Sequence, residues 1–186
     1  MRGRLTKLSD AKHRLALIRD DGASESIELA SRSFLWHDFL HYAVETNAGL
    51  HLSFWGLLAG GRTLADLHDM SEGAGAAKAR ASEAAVTEAV VGVLTDVVRE
   101  RAAPGAAIAG MSRWFEAQDR ELPAWLSADF VERVGDHMRR LMGEWRAVPF
   151  GGEMELVFPA AEAHGVAARL RPAKSPPQRS GRAGAQ

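Results

Sequence analysis

Cysteine is absent from the 186 residues, which excludes disulfide bridges, zinc ribbons, iron–sulfur clusters and thiol nucleophiles. Any metal or acid–base chemistry must therefore come from His, Asp and Glu. No stretch approaches the roughly 20 apolar residues that a membrane-spanning helix requires. The opening Met1-Arg2-Gly3-Arg4-Leu5 lacks the apolar core of a signal peptide, so a cytoplasmic location is the expectation. Common catalytic motifs are missing too. Ser53 and Ser112 do not stand in a Gly-x-Ser-x-Gly elbow, and neither a Gly-x-x-x-x-Gly-Lys loop nor a Gly-x-Gly-x-x-Gly turn follows a strand. Lysine is scarce, 4 residues against 19 arginines; that bias, with abundant alanine, reads as the codon usage of a GC-rich bacterial genome and weakens arguments from single arginines.

With 46% hydrophobic and 25% charged residues, the composition is that of one globular domain, spanning residues 1–168. The net charge of −1 divides unevenly. Residues 169–186 hold five basic residues and no acid, leaving 18 basic against 24 acidic in residues 1–168. An acidic body argues against nucleic-acid binding by the folded part, because phosphate contacts need positive potential. The segment from Arg169 has too few apolar residues to offset the entropy of ordering it, and a disordered basic tail is expected. Such a tail suits weak, salt-sensitive attachment to an anionic partner.

The fold class expected is α+β. Alternation of apolar residues from Arg14 to Leu29, interrupted by Asp20-Asp21-Gly22-Ala23-Ser24, signals a hairpin. A strand over Arg4–Leu8 and another over Met154–Phe158 would complete a small antiparallel sheet, packed against four to five helices. The first helix starts after Ser31 or Ser33, taken as N-caps, and stops at Gly49; a short one covers Ser53–Ala59. Ala77–Glu100 carries an apolar stripe through Val86, Val90, Val93, Leu94 and Val97. Ile108–Asp119 and Ser127–Arg146, separated by Leu122-Pro123, form a helical pair.

The first helix contains Trp36-His37-Asp38-Phe39-Leu40-His41-Tyr42-Ala43-Val44-Glu45. At about 100° per residue, with His37 at zero, His41 lies near 40°, Glu45 near 80° and Asp38 near 100°. Four coordinating or proton-transferring groups thus share one arc of a helix that is otherwise apolar. Imidazoles at i and i+4 can approach one divalent ion from the same side. His37 and His41 are the expected metal ligands, Glu45 the third, and Asp38 an outer partner or the base acting on metal-bound water. Zinc, manganese, iron and nickel all suit such donors. Asp66, His68, Asp69 and Glu72 are further ligand candidates by type alone. Two other outcomes stay open: a metal-free acid–base or binding cleft for a small molecule, and a structural face whose His, Asp and Glu stabilise one another. The arc carries no arginine, unlike the solvent faces elsewhere in this chain.

His37-Asp38-Phe39-Leu40-His41 resembles the His-Glu-x-x-His signature of zinc metallopeptidases, whose histidines bind zinc and whose glutamate is the general base. Asp38 stands where that Glu would be, one methylene shorter. The His37-Asp38 pair also resembles the metal-holding dyad of the HD phosphohydrolase superfamily, whose folds are wholly helical. The longer stretch, with Gly49-Leu50-His51-Leu52-Ser53-Phe54-Trp55-Gly56, is similar to small bacterial proteins that place a hairpin before a His-Asp-x-x-His-x-x-x-Glu helix, a likeness that implies no activity.

His137 lies near the apolar stripe of its helix and suits a satisfied core imidazole or a ligand completing the cluster. His51 and His68 fall on short connections beside it. Phe54, Trp55, Leu57 and Leu58 are core filling or a docking patch. Two function classes follow. One is a divalent-metal-binding protein, with metal-dependent hydrolysis as its candidate activity, centred on His37, Asp38, His41 and Glu45. The other is a non-enzymatic interaction or scaffold protein.

Overall fold

Alternating burial along the first two N-terminal segments underlies the sheet. In the computed structural model, which describes residues 1–67 and 83–159, β1 (Arg2–Lys7), β2 (Lys12–Ile18) and β3 (Ser24–Ala30) form a meander. β4 (Glu153–Val157) returns to pair with β1, giving the order β3-β2-β1-β4 with every pair antiparallel. The period of two explains the register. Leu5 faces Leu15 and Met154, and Gly3 faces Leu17 and Leu156, so these residues line one inner face. The outer face carries Arg4 with Glu153 at 3.4 Å and Arg14 with Glu28 at 2.9 Å. Gly22, at φ 88°, makes the turn from β2 to β3 that an L side chain would resist.

Among the described residues, helices cover the inner face only. A π-helical turn (Ser31–Leu35) runs directly into α1 (Trp36–Ala48), and α2 (Phe54–Ala59) follows. Residues 64–67 are helical up to the edge of the described segment. Then come α3 (Glu83–Val98), α4 (Pro104–Glu116) and α5 (Ala128–Ala147). The architecture is α+β, as the patterning predicts. α1 lies at the centre: Phe39, Leu40, Ala43 and Val44 have no exposed surface. Tyr42 donates its hydroxyl hydrogen to the Val157 carbonyl at 2.9 Å, tying α1 to the sheet. Phe39 packs edge-on against Trp145 of α5. Lys7 reaches from β1 to the C-terminal end of α5, donating to the carbonyls of Trp145 at 2.9 Å and Val148 at 2.8 Å, where the helix leaves acceptors free.

Three expectations are corrected. Neither Ser31 nor Ser33 caps α1, because the chain enters it through the π turn and no side chain caps either segment. Ser31 Oγ instead pairs at 3.2 Å with Nδ1 of His13, a fully buried residue of the inner sheet face whose pKa is lowered by burial. The helix expected from Ile108 begins at Pro104, whose missing N–H costs nothing in the first turn. The first strand runs Arg2–Lys7, not Arg4–Leu8, because Arg2 pairs with Ile18 and Val157. Ser127 does cap α5, accepting from the Phe130 N–H at 3.3 Å. The first six residues of the expected Ala77–Glu100 helix, and the basic tail, lie outside the described residues.

α2 sits unusually close to the chain before it. A Cβ at Gly56 would come within 2.3–2.5 Å of His51 backbone atoms, where no flexible side chain can give way. Gly56→Ala should therefore destabilise the fold by about 2–3 kcal/mol, the upper range for overpacking, read as a lower urea midpoint; an unchanged midpoint would show that α2 shifts freely.

Candidate metal centre

α1 is closed by Gly49, which adopts φ 66° and donates its N–H to the Glu45 carbonyl. Apolar residues take most of the circumference into the core, and the polar arc is left facing α2 and α3. Its four residues meet different surroundings. His41 is 1% exposed and Glu45 0%, whereas the His37 side chain is 49% exposed. Asp38 is buried, its Oδ1 3.9 Å from His37 Nδ1.

α3 supplies the residue that completes the group. Glu88 Oε1 lies 3.2 Å from His41 Nε2, and its Oε2 lies 3.9 Å from His37 Nε2. The two imidazole centroids are 4.6 Å apart. Ligand atoms of His37, His41 and Glu88 all fall within 4.8 Å of one another, so this group could hold a metal ion. Two donors each about 2.1 Å from a tetrahedral ion stand about 3.4 Å apart, a spacing that the 3.2 and 3.9 Å separations bracket. His41 Nε2 makes no aligned hydrogen bond despite its burial. The nearest carboxylate oxygen to it is Glu88 Oε1, at 3.2 Å.

Glu45 is placed elsewhere. Its Oε1 is 3.2 Å from His41 Nδ1, and its Oε2 accepts the Gly56 N–H at 3.0 Å. The structure thus brings His37 and His41 together with Glu88, while Glu45 and Asp38 stand on the Nδ1 side of the two rings. Of the other ligand candidates, Asp66 accepts from the Thr63 N–H at 2.8 Å, away from the group; His68, Asp69 and Glu72 lie outside the described residues. His137 pairs with Asn47 Nδ2 at 3.0 Å and stacks edge-on against Tyr42. The His51 and Leu52 N–H groups bind the Glu83 carboxylate of α3. Trp55 and Leu58 of the aromatic-rich short helix are fully buried.

Sequence reasoning missed Glu88 because helix periodicity sees only one helix at a time. One signal existed: α3 carries only Glu83, Glu88 and Asp96 as charged residues and no base among them. An acid without a helical counterion was available for partners on another element.

The electrostatics follow from the geometry. Burial alone would push the His41 pKa down, but its contacts with Glu45 and Glu88 more than offset this and raise it to about 9. Burial pushes Glu45 up, against the pull of His41 and of the Gly56 and Trp55 N–H groups. Glu88 is held below the usual carboxylate range by His41.

Comparison with protein-family models, curated proteins and solved structures yields no match. The chemistry open to the site is therefore read from its geometry.

Because the folded His41 pKa of about 9 exceeds its ordinary 6.5, its stabilisation is complete below about pH 6.5 and is lost as pH rises through about 9. Urea unfolding of metal-free protein should therefore show stability falling over that window, with a flatter profile for His41→Gln. Parallel profiles would contradict the charged arrangement.

Proposed function

We propose that the chain binds one divalent metal ion through His37, His41 and Glu88 and uses it as a hydrolase, activating a water molecule. The convergence of these three ligand atoms within 4.8 Å carries the proposal. Two imidazole nitrogens and one carboxylate oxygen make a donor set suited to catalytic zinc, with a fourth position left for water. Iron, manganese or nickel would accept the same donors with different geometry. Exposure supports an open position: His37 and Glu88 reach the surface, at 49% and 60%, while His41 anchors the inner side. A metal in such a site lowers the pKa of bound water toward neutrality and polarises an oxygen of the substrate. Asp38, on the Nδ1 side of His37, is better placed to hold that ring than to take a proton from water beside Glu88.

A structural role is favoured by one observation. His41 bridges Glu45 and Glu88 without an ion, as suits an interaction or scaffold protein that uses the group to join α1 to α3.

Metal analysis and calorimetry on purified protein decide between these. One zinc ion per chain is expected, with a rise in thermal midpoint. The His37→Ala, His41→Ala double variant and Glu88→Ala should each weaken binding by more than the roughly 10–100-fold that loss of an outer partner costs. No stoichiometric zinc, manganese, iron or nickel, and no thermal shift on adding them, would leave the structural role.

A further inference from the structure

Both histidines of the centre turn Nε2 toward Glu88 and Nδ1 toward a carboxylate of their own helix. His37 faces Asp38 at 3.9 Å and His41 faces Glu45 at 3.2 Å. The two inner carboxylates are not equivalent. Asp38 serves a half-exposed ring at long range. Glu45 has no exposed surface, and each of its oxygens has a partner: His41 Nδ1 on Oε1 and the Gly56 N–H on Oε2 at 3.0 Å. That second partner is held in place, because α2 rests at Gly56 directly on the His51 backbone, and Trp55 Nε1 donates to the Asp38 carbonyl at 3.0 Å. Turning Glu45 toward an ion on the Nε2 side would strip both buried partners and leave the donors unpaired.

We infer that Glu45 is a positioning residue of the metal centre: it keeps a proton on His41 Nδ1, so that Nε2 carries its lone pair toward His37 and Glu88, and it ties α2 to the site. The inference rests on the proposed metal binding and specifies how the buried ligand is prepared. An imidazole that ligates through one nitrogen commonly donates the other N–H to a carboxylate, which fixes ring orientation and raises ligand basicity. Glu45 is thereby distinguished from a third ligand, the role that helical spacing alone would assign to it. It also makes α2, which contributes no ligand, part of the centre.

The test uses the full chain, with zinc and cobalt(II) as probes. In zinc-loaded wild-type protein, long-range proton–nitrogen NMR should find His41 protonated on Nδ1 and bound through Nε2. Glu45→Gln keeps the shape but sets an amide N–H against one of the two donors. It should still bind one cobalt ion with the wild-type absorption intensity, hence the same coordination number, while zinc competition shows about 10–100-fold weaker binding. Asp38→Asn should lose less. The NMR measurement needs no variant, so it stands even where Glu45→Gln folds poorly. Wild-type protein that binds neither ion would overturn the metal proposal and this inference with it. Normal wild-type binding combined with His41 ligating through Nδ1, with wild-type zinc affinity in Glu45→Gln, or with a cobalt spectrum reporting one ligand fewer, would overturn this inference alone.

Discussion

A carboxylate without exposed surface, in the middle of a helix that is otherwise apolar toward the core, must be satisfied by its neighbours. Glu45 is that constraint. Removing one partner of a buried, hydrogen-bonded pair costs about 3–5 kcal/mol, a large share of the stability of a domain this size. The surrounding elements are placed accordingly. His41 meets one oxygen and the α2 backbone the other. α2 can come this close only because position 56 lacks a side chain. Trp55, from the same short helix, fills the space under α1 and approaches within 2.8 Å of where a Gly3 side chain would begin. One buried acid thus links α1 and α2, while Trp55 carries the contact on to the sheet.

The sheet supplies the platform. The middle of its inner face is apolar, with Lys7, His13 and Glu25 toward its edges, and α1 lies on it, held by the Tyr42 hydroxyl at one strand and by Trp145 of α5 across the core. Its outer face is laced with Arg–Glu pairs, and no helix of the described residues covers it. Helices on one side only leave α1 with a sheet beneath and α3 alongside. Ligand groups on packed helices are held more precisely than groups on loops. In this fold the rigid side of the centre is His41, and the side open to solvent is His37 with Glu88.

Much of this was legible in the chain. An Asp21-Gly22 pair between two strand-like runs announced the hairpin, and the alternation of Met154–Phe158 announced the returning strand, because a period of two suits a half-buried strand. Gly49 announced a helix end through local chemistry, the αL geometry that glycine adopts freely. Ser31 misled for an equally local reason. Its hydroxyl had a competing partner in His13, eighteen residues earlier, and no spacing rule along one helix can foresee a contact with a strand. The entry to α1 through a π turn was invisible likewise, since no residue type marks it.

Helical spacing by itself determined that His37, Asp38, His41 and Glu45 share one arc, and the absence of cysteine made that arc the densest concentration of ligand types. Both are covalent facts of the chain. Which atoms of the arc meet was decided by tertiary structure alone. A helix wheel shows direction but not what lies there: α2 came to rest against Glu45 and drew it inward, and α3 crossed α1 so that Glu88 reached the outer nitrogens of both histidines. Which of these groups meet depends on separations of about an ångström between elements far apart in sequence, and only packing sets those.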